Sequence, residues 1–132
     1  LFPYTTLFRS VEYLEVDDFD SNGNLKSYVN NGKSGSPGKS VVLMAQGNYC
    51  GYCQQAKPAF EKFAQTTPNI VSATIVTDGE PSEKAAAKFI KKWDPSHKGV
   101  PAYFGFAPNG QFKKVHQGSR DTAALKAFAE TL

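Results

Sequence analysis

The sequence has few of the residues on which several classes of protein depend. It holds two cysteines among 132 residues, too few for a scaffold of several disulfides. The longest apolar run, residues 41–45, is far shorter than the about 20 residues that span a bilayer. The 15 basic and 12 acidic residues are dispersed rather than blocked. We therefore expect one soluble globular domain, monomeric, with neither a nucleic-acid nor a membrane partner.

The first ten residues are set apart from the rest of the chain. They lack an initiating Met, the cationic start of a signal peptide and a small-residue cleavage site, and they resemble a translated sequencing adaptor. We interpret residues 1–10 as a non-native leader and residues 11–132 as the domain, so any native targeting signal is missing. The cytoplasm is the expected compartment, with the periplasm or secretion left open.

Apolar patterning predicts alternating strands and helices over residues 11–132. Strands are predicted at residues 11–16, 41–45, 70–76, 101–106 and 111–117. Helices are predicted at residues 17–31, 50–66, 81–93 and from an N-cap at Asp121 onward. A Gly- and Ser-rich connection is predicted at residues 31–38, and Asn109-Gly110 between two apolar segments predicts a hairpin. The order predicts an α/β fold with an open mixed sheet, whose central strand is 41–45.

Both cysteines lie in the run Tyr49-Cys50-Gly51-Tyr52-Cys53, between an apolar strand and an amphipathic helix. At such a junction the first sulfur lies over free backbone N–H groups and the positive end of the helix dipole, which favour the thiolate. A bridge between the two cysteines closes too short a loop to constrain the unfolded chain much. The pattern therefore predicts reversible dithiol–disulfide chemistry.

The alternatives for the cysteine pair are two unreactive thiols, half of a zinc site, or an iron–sulfur cluster shared between subunits. Zinc usually needs four ligands, and the other candidates, His97 and His116, are far apart in sequence. We expect no bound metal or other cofactor, only the redox-active Cys50–Cys53 disulfide. His97, with Lys98, precedes Pro101 and is either near the disulfide or in a solvated loop.

Two aromatic residues and His116 have competing interpretations. Trp93 ends an apolar helical stripe, which indicates core packing rather than substrate contact. His116 lies on a predicted strand and is structural or solvent-facing. Tyr49 adjoins Cys50 in a loop, where a substrate contact and simple packing are equally open.

The element order and its local motifs resemble the thioredoxin family over residues 11–132. The motifs are Cys50/Cys53, Pro58, Val100-Pro101, Asn109-Gly110 and Gly118. The resemblance implies a thioredoxin-like fold, with a central mixed sheet of four to five strands and helices on both faces. It also implies a thiol–disulfide oxidoreductase that exchanges disulfides of protein substrates, with a reductase or glutathione as electron partner.

By this resemblance Cys50 is the nucleophile, Cys53 the resolving thiol and Pro101 a cis-proline that packs beside the disulfide. Pro101 would present the Val100 backbone to an extended substrate. The positions agree with these roles, since Cys50 at the helix start is the more exposed sulfur and Cys53 lies one turn further in.

Four more residues are predicted to belong to the site. Gly51 is expected to let the substrate backbone approach, and Tyr52 to provide an aromatic surface beside the sulfurs. Pro58 kinks the helix and separates the active-site turn from the rest of it, as a matching proline does in the family. Gly118 is expected to be a structural residue near the site.

Three departures from the thioredoxin pattern affect the expected chemistry. Thioredoxins usually have Trp-Cys-Gly-Pro-Cys, whereas the Gly51-Tyr52 pair resembles that of bacterial periplasmic disulfide isomerases. We therefore expect a potential between the about −270 mV of thioredoxin and the about −120 mV of the most oxidising relatives. Met44 stands where thioredoxins carry a buried Asp, and Thr74 where a Lys often accompanies it. We predict slower deprotonation of Cys53, or use of water, because Met cannot act as a general base.

The segment Gln46-Gly47-Asn48 is the third departure, because it lacks the acidic and aromatic residues common before the active-site cysteine. Loss of that negative charge is expected to favour the Cys50 thiolate. Two alternative functions remain. One is a glutaredoxin-like, glutathione-dependent reductase, suggested by Tyr52 and opposed by the absence of a recognisable glutathione-binding signature. The other is a redox-inert thioredoxin-like binding module that uses the surface of Tyr49, Tyr52 and Pro101.

Overall fold

A computed structural model describes residues 8–31 and 38–132. The described residues form five strands: β1 Glu12–Tyr13, β2 Val41–Gln46, β3 Val71–Val76, β4 Ala102–Phe106 and β5 Phe112–Val115. They form five α-helices: α1 Ser27–Asn31, α2 Gly51–Thr66, α3 Pro81–Ala86, α4 Ile90–Trp93 and α5 Thr122–Ala129. No helix in these two ranges is long and apolar enough to cross a membrane.

The strands form a single mixed sheet in the order β1-β3-β2-β4-β5. β3 runs parallel to both β1 and β2, whereas β4 runs antiparallel to β2 and β5. All six residues of β2 are buried, and the prediction that this apolar run forms the central strand is confirmed. Because β2 and β3 are parallel neighbours, the loops that follow them meet at one edge of the sheet.

A hydrophobic core lies on each face of the sheet, because side chains alternate along β2. Val41, Leu43 and Ala45 pack with the residues of α3 and α4, including Trp93. Val42 and Met44 pack on the other face, with the inner sides of α2 and α5. Helices therefore cover both faces, which confirms the predicted fold class.

The N-terminal region differs most from its prediction. The strand expected over residues 11–16 is reduced to β1, because Val16–Asp18 form a 3-10 turn. Of the helix expected over residues 17–31, only α1 forms. The Asp20 carboxylate accepts the backbone N–H groups of Asn22 and Asn24, which closes a turn in place of a helix. Gly23 in this turn has φ +80°, a left-handed conformation that suits glycine.

The helix predicted over residues 81–93 is interrupted. Ala87–Phe89 adopt a 3-10 conformation between α3 and α4, and the Ile90 N–H donates to the Ala87 carbonyl, three residues back. The predicted apolar stripe is nevertheless buried, at Ala86, Phe89, Ile90 and Trp93. The tighter turn therefore changes the hydrogen bonding without turning the stripe away from the core.

The predicted hairpin at Asn109-Gly110 is confirmed by the antiparallel pairing of β4 and β5. Gly110 has φ +90°, and a Cβ at this position would collide with the Leu25 carbonyl oxygen. The Leu25 N–H also donates to the Gly110 carbonyl at 2.8 Å. Glycine is therefore required both by the turn and by the close approach of the N-terminal region.

Two predicted segments lie partly outside the described residues: positions 1–7 of the leader and positions 32–37 of the Gly- and Ser-rich connection. Phe8 of the leader is buried and packs edge-on against Phe60, with ring centroids 5.7 Å apart. The N–H groups of Arg9 and Ser10 donate to Glu61 Oε1 at 2.9 and 3.1 Å. Residues 8–10 thus pack on α2.

Asp121 is the N-cap of α5, and its Oδ1 accepts the Ala124 N–H at 2.7 Å. The hydrogen bonds that Asp121 accepts from the Ala124 N–H and from the Ser119 hydroxyl hold its pKa below the ordinary value of 3.8. The cap therefore stabilises the fold fully above pH 3.8, and its contribution is lost as the pH falls through the lowered folded-state pKa. In urea unfolding, the midpoint of wild type should fall relative to that of Asp121→Asn as the pH is lowered below 3.8. A difference independent of pH would contradict this assignment.

Candidate redox site

Cys50 and Cys53 form a disulfide at the N-terminal end of α2. Cys50 is the N-cap residue, and its Sγ accepts the Cys53 N–H at 3.1 Å. Cys53 is 0% exposed, whereas Cys50 is partly exposed. Cys50 is therefore the more accessible sulfur, and an N–H group and the helix N-terminus both favour negative charge on it.

The loop before β4 forms a second side of the site. The peptide bond between Val100 and Pro101 is cis. The Val100 carbonyl oxygen lies 3.6 Å from Cys50 Sγ, and the Pro101 side chain is buried. The structure thus brings Val100 and Pro101 together with the disulfide, although they follow it by about fifty residues in sequence.

Two exposed tyrosines flank the partly exposed sulfur. Tyr49 is 94% exposed and Tyr52 is 70% exposed. A Cβ at Gly51, between Cys50 and Tyr52, would meet no atom within 4 Å. Packing inside the chain therefore requires neither the two aromatic side chains nor a glycine at these positions. This surface is open to a partner.

Met44 lies on the same face of the sheet as Cys53. It is 0% exposed and belongs to the core cluster that contains Cys53. The polar groups next to it along the sheet are neutral: Thr74 Oγ1 donates to the Met44 carbonyl at 2.7 Å, and Gln46 Nε2 donates to Thr74 Oγ1 at 3.2 Å. An amide and a hydroxyl, neither of which titrates near neutral pH, thus accompany the methionine.

Asp78 is a residue of the site that the sequence analysis missed. Its Oδ1 accepts the Asn48 N–H at 2.7 Å, and its Oδ2 accepts the Tyr49 N–H at 3.1 Å. The loop before Cys50 therefore has a neighbouring carboxylate, although its own segment has none. The strand order is the feature that could have indicated Asp78. This residue follows β3, and the C-terminal end of β3 adjoins that of β2, which the loop before Cys50 follows.

Lys57 was also missed. It lies one turn after Cys53 in α2, is 4% exposed, and its Nζ is 5.4 Å from the centroid of the Phe8 ring. Burial lowers the pKa of Lys57, and the negative charge of Asp78 acts in the opposite direction. Its spacing of four residues from a buried cysteine was the available signal, since such pairs share a helix face.

The remaining predicted residues lie around this centre. Pro58 is exposed inside α2, which continues through it to Thr66, and its missing N–H leaves the Gln54 carbonyl without the usual helical donor. Gly118 lies in the loop after β5 and lines a cleft with Pro101. Trp93 is buried, and its Nε1 donates to the Gly23 carbonyl at 2.9 Å. The ring of Trp93 is thus part of the core.

The two histidines line the same cleft as Pro101 and Gly118. His116 Nε2 donates to the Ser119 carbonyl at 2.7 Å, and its ring contacts that of Phe128. Within residues 8–31 and 38–132, no three His, Cys, Asp or Glu side chains form a group suited to a metal ion.

Removing the Asp78 carboxylate should loosen the loop before Cys50. We expect Asp78→Ala to lower the free energy of unfolding by about 1–2 kcal/mol, because two backbone N–H groups lose a charged acceptor. We also expect slower disulfide exchange, since Asn48 and Tyr49, which precede Cys50, are no longer held. Asp78→Asn retains an acceptor oxygen and should fall between wild type and Asp78→Ala in urea unfolding and insulin reduction. Equal stability of all three proteins would contradict the anchoring role.

The fold and the cysteine pair together define a thiol–disulfide oxidoreductase of thioredoxin-like fold. Comparison with known sequences agrees: the Thioredoxin family model matches residues 19–131. The chain is also 35% identical, over 109 residues, to the thioredoxin-like protein 453L of Invertebrate iridescent virus 6, covering 72% of this chain and 74% of that one. This chain therefore belongs to the thioredoxin family.

Solved structures show the same fold. Oxidised thioredoxin O2 from Arabidopsis thaliana is 21% identical, with a TM-score of 0.62 and coverage of 93% of this chain and 94% of that one. The first thioredoxin domain of mouse protein disulfide-isomerase A4 is 28% identical, with a TM-score of 0.55 and coverage of 70% and 62%. The J-Trx1 fragment of ERdj5 is 16% identical, with a TM-score of 0.62, and the match covers 92% of this chain but 51% of that fragment. The chain thus spans about half the length of the ERdj5 fragment.

Proposed function

We propose that this chain exchanges disulfide bonds with protein substrates, with Cys50 as the attacking sulfur and Cys53 as the resolving sulfur. The observation that carries the proposal is the asymmetry of the pair. Cys50 Sγ is partly exposed and accepts the Cys53 N–H, whereas the Cys53 side chain is fully buried. A substrate disulfide therefore meets Cys50 first.

Reduction of a substrate then proceeds in two exchanges. The Cys50 thiolate attacks one sulfur of the substrate disulfide, forms a mixed disulfide and releases the other substrate sulfur as a thiolate. Cys53 loses its proton and attacks Cys50 Sγ, which releases the second substrate sulfur. The substrate has gained two electrons, and the chain is left with the Cys50–Cys53 disulfide that the structure contains. A reductase or glutathione restores the dithiol.

Proton removal from Cys53 is proposed to be slower than in thioredoxins. Met44 cannot accept a proton, and the polar groups beside it are the neutral side chains of Thr74 and Gln46. Water is the proposed acceptor. Slow resolution would prolong the mixed disulfide, which gives the substrate time to rearrange its own cysteines.

The surface beside Cys50 is proposed to bind an extended substrate segment. Tyr49 and Tyr52 offer exposed rings, Gly51 leaves the approach open, and the Val100 carbonyl lies 3.6 Å from Cys50 Sγ. Aromatic surfaces of this kind contribute contact area without requiring a particular partner side chain. Substrates of different sequence therefore fit the same site.

Insulin reduction tests the activity and its electron source. We expect turnover when the protein is coupled to a thioredoxin reductase system, and slower turnover when it is coupled to glutathione. Turnover with the glutathione system and none with the thioredoxin reductase system would favour the glutaredoxin-like alternative. Absence of turnover in both systems would support the redox-inert binding module and contradict the proposal.

The direction of exchange is tested by equilibrating the protein with glutathione redox buffers and quantifying its free thiols. The Gly51-Tyr52 pair and the isomerase-type relative support a potential near the about −180 mV of protein disulfide isomerase. Such a potential suits isomerisation as well as reduction. A potential at or below about −270 mV would make the protein a thioredoxin-type reductase and would contradict this part of the proposal.

A further inference from the structure

A cleft of about 480 Å³ lies beside Pro101, between the loop before β4 and the loop after β5. We call it the Pro101 cleft. Its lining includes His97, Lys98, Pro101, Tyr103, His116 and Arg120. No step of the proposed exchange uses Lys98, Tyr103 or Arg120, so their common position calls for a separate explanation.

The Pro101 cleft is positively charged. Lys98 and Arg120 are exposed, and within the described part of the chain neither side chain has a hydrogen bond or an ion pair. Asp94 is the one acidic residue among the described residues that line the cleft. Its Oδ1 already accepts the Ser96 N–H and hydroxyl at 3.1 and 2.8 Å. The two cations are therefore available to an anion.

Tyr103 is an independent sign of a ligand. The residue is 3% exposed, and its hydroxyl is buried without a hydrogen-bond partner among the described residues. Burial raises the pKa of Tyr103 to about 12, with the positive charge of Arg120 acting in the opposite direction. The phenol therefore stays protonated at neutral pH and can donate. A buried hydroxyl without a partner is unfavourable, and an acceptor supplied by a ligand would satisfy it.

The available groups select the chemistry of that ligand. An ammonium, a guanidinium and a protonated phenol are all donors at neutral pH, so the ligand must be an acceptor and is favoured if it is negatively charged. A planar carboxylate suits the guanidinium fork of Arg120 and leaves a lone pair for the Tyr103 hydroxyl. The position of the cleft indicates the source of the carboxylate. Pro101 lines the cleft and also belongs to the surface beside Cys50, where the substrate binds.

We propose that the Pro101 cleft binds an Asp or Glu side chain of the protein substrate, close in sequence to the cysteine that Cys50 attacks. This inference rests on the proposed function and adds a substrate preference to it. Substrate disulfides flanked by acidic residues are exchanged faster than others because Lys98, Tyr103 and Arg120 hold the segment in place.

Two disulfide-bonded reporter peptides test the preference. They are identical except that one carries Glu and the other Gln beside the reactive cysteine, and kcat/KM is measured for each at low ionic strength. For wild type we expect roughly a fivefold to tenfold preference for the Glu peptide, the size expected of one hydrogen bond of ordinary net strength in a partly exposed cleft. The preference should shrink as salt is added.

Three variants assign the preference to the cleft. Arg120→Gln and Tyr103→Phe should each reduce it to about twofold or less. Tyr103→Phe changes no charge, so its effect cannot come from the net charge of the protein. Lys62→Gln is the matched control, since it removes one exposed cation that does not line the cleft, and it should keep the wild-type preference.

The outcomes separate this inference from the proposed function. Equal kcat/KM for the two peptides with wild type would overturn the cleft inference and leave the exchange activity standing. Turnover of neither peptide would contradict the proposed function itself. Oxidised glutathione and its glycine ethyl ester form a further arm, which distinguishes a protein substrate from glutathione as the source of the carboxylate. A slower ester, together with no preference for the Glu peptide, would assign the cleft to glutathione and overturn the inference.

Discussion

Cys50→Ser is expected to lower the rate of insulin disulfide reduction to the uncatalysed rate of the reductant alone. Cys50 is the partly exposed sulfur of the pair, and a serine hydroxyl does not form the nucleophile that disulfide exchange requires at neutral pH. Cys53 cannot take over, because its side chain is 0% exposed. Insulin turbidity in the presence of dithiothreitol measures the rate.

The fold of the Cys50→Ser variant should remain intact, because Cys50 caps α2 with a side-chain acceptor and serine is also a favourable N-cap residue. Circular dichroism and Trp93 fluorescence check this. An active Cys50→Ser variant would remove Cys50 from the attacking role. An inactive variant that is also unfolded would not be counted, and Cys50→Ala would then be compared under the same conditions, with residual turnover again contradicting the role.

Trp93→Ala is expected to lower the free energy of unfolding by about 3–5 kcal/mol. The indole is 5% exposed and packs against the rings of Phe19, Phe104 and Phe106, at centroid distances of 5.6, 5.1 and 5.2 Å. The substitution leaves a cavity and removes the donor to the Gly23 carbonyl. The expected loss is a large fraction of the free energy of unfolding of a typical domain, which is about 5–15 kcal/mol.

Urea unfolding followed by circular dichroism measures this loss, since Trp93 is the sole tryptophan of the chain and the variant has no indole signal. Trp93→Phe keeps an aromatic ring and should cost less than Trp93→Ala. The exchange rate of folded Trp93→Ala should stay close to wild type, because Trp93 and Cys53 belong to different core clusters. A lost exchange rate with unchanged stability would make Trp93 a substrate contact.

The sheet could be predicted from the sequence because its signals are local. The continuous apolar run of β2 needs cover on both faces, and Asn109-Gly110 needs a left-handed glycine in a hairpin. The N-terminal region could not be predicted in the same way, since Leu25, Tyr28 and Val29 recur at a helical spacing and favoured a longer helix than the one that forms. Its turn depends on distant partners: Trp93 binds the Gly23 carbonyl and Gly110 accepts the Leu25 N–H.

The same division applies to the redox site. Cys50 and Cys53 were recognisable because a cysteine pair at the start of a helix has a local physical meaning. Asp78 became visible only when β2 and β3 were placed side by side, and it returns a negative charge to a loop that the sequence shows as neutral. Lys57 was missed because lysine is rarely buried, and only the packed fold shows the burial that lowers its pKa.

The central claim, that Cys50 attacks and Cys53 resolves, is tested most directly by trapping the mixed disulfide. Cys53→Ser and Cys50→Ser are each incubated with the same disulfide-bonded peptide, and their masses are measured without reduction. We predict that Cys53→Ser gains the mass of one peptide chain through Cys50 and that Cys50→Ser keeps its own mass. An adduct on Cys50→Ser, with none on Cys53→Ser, would contradict the account.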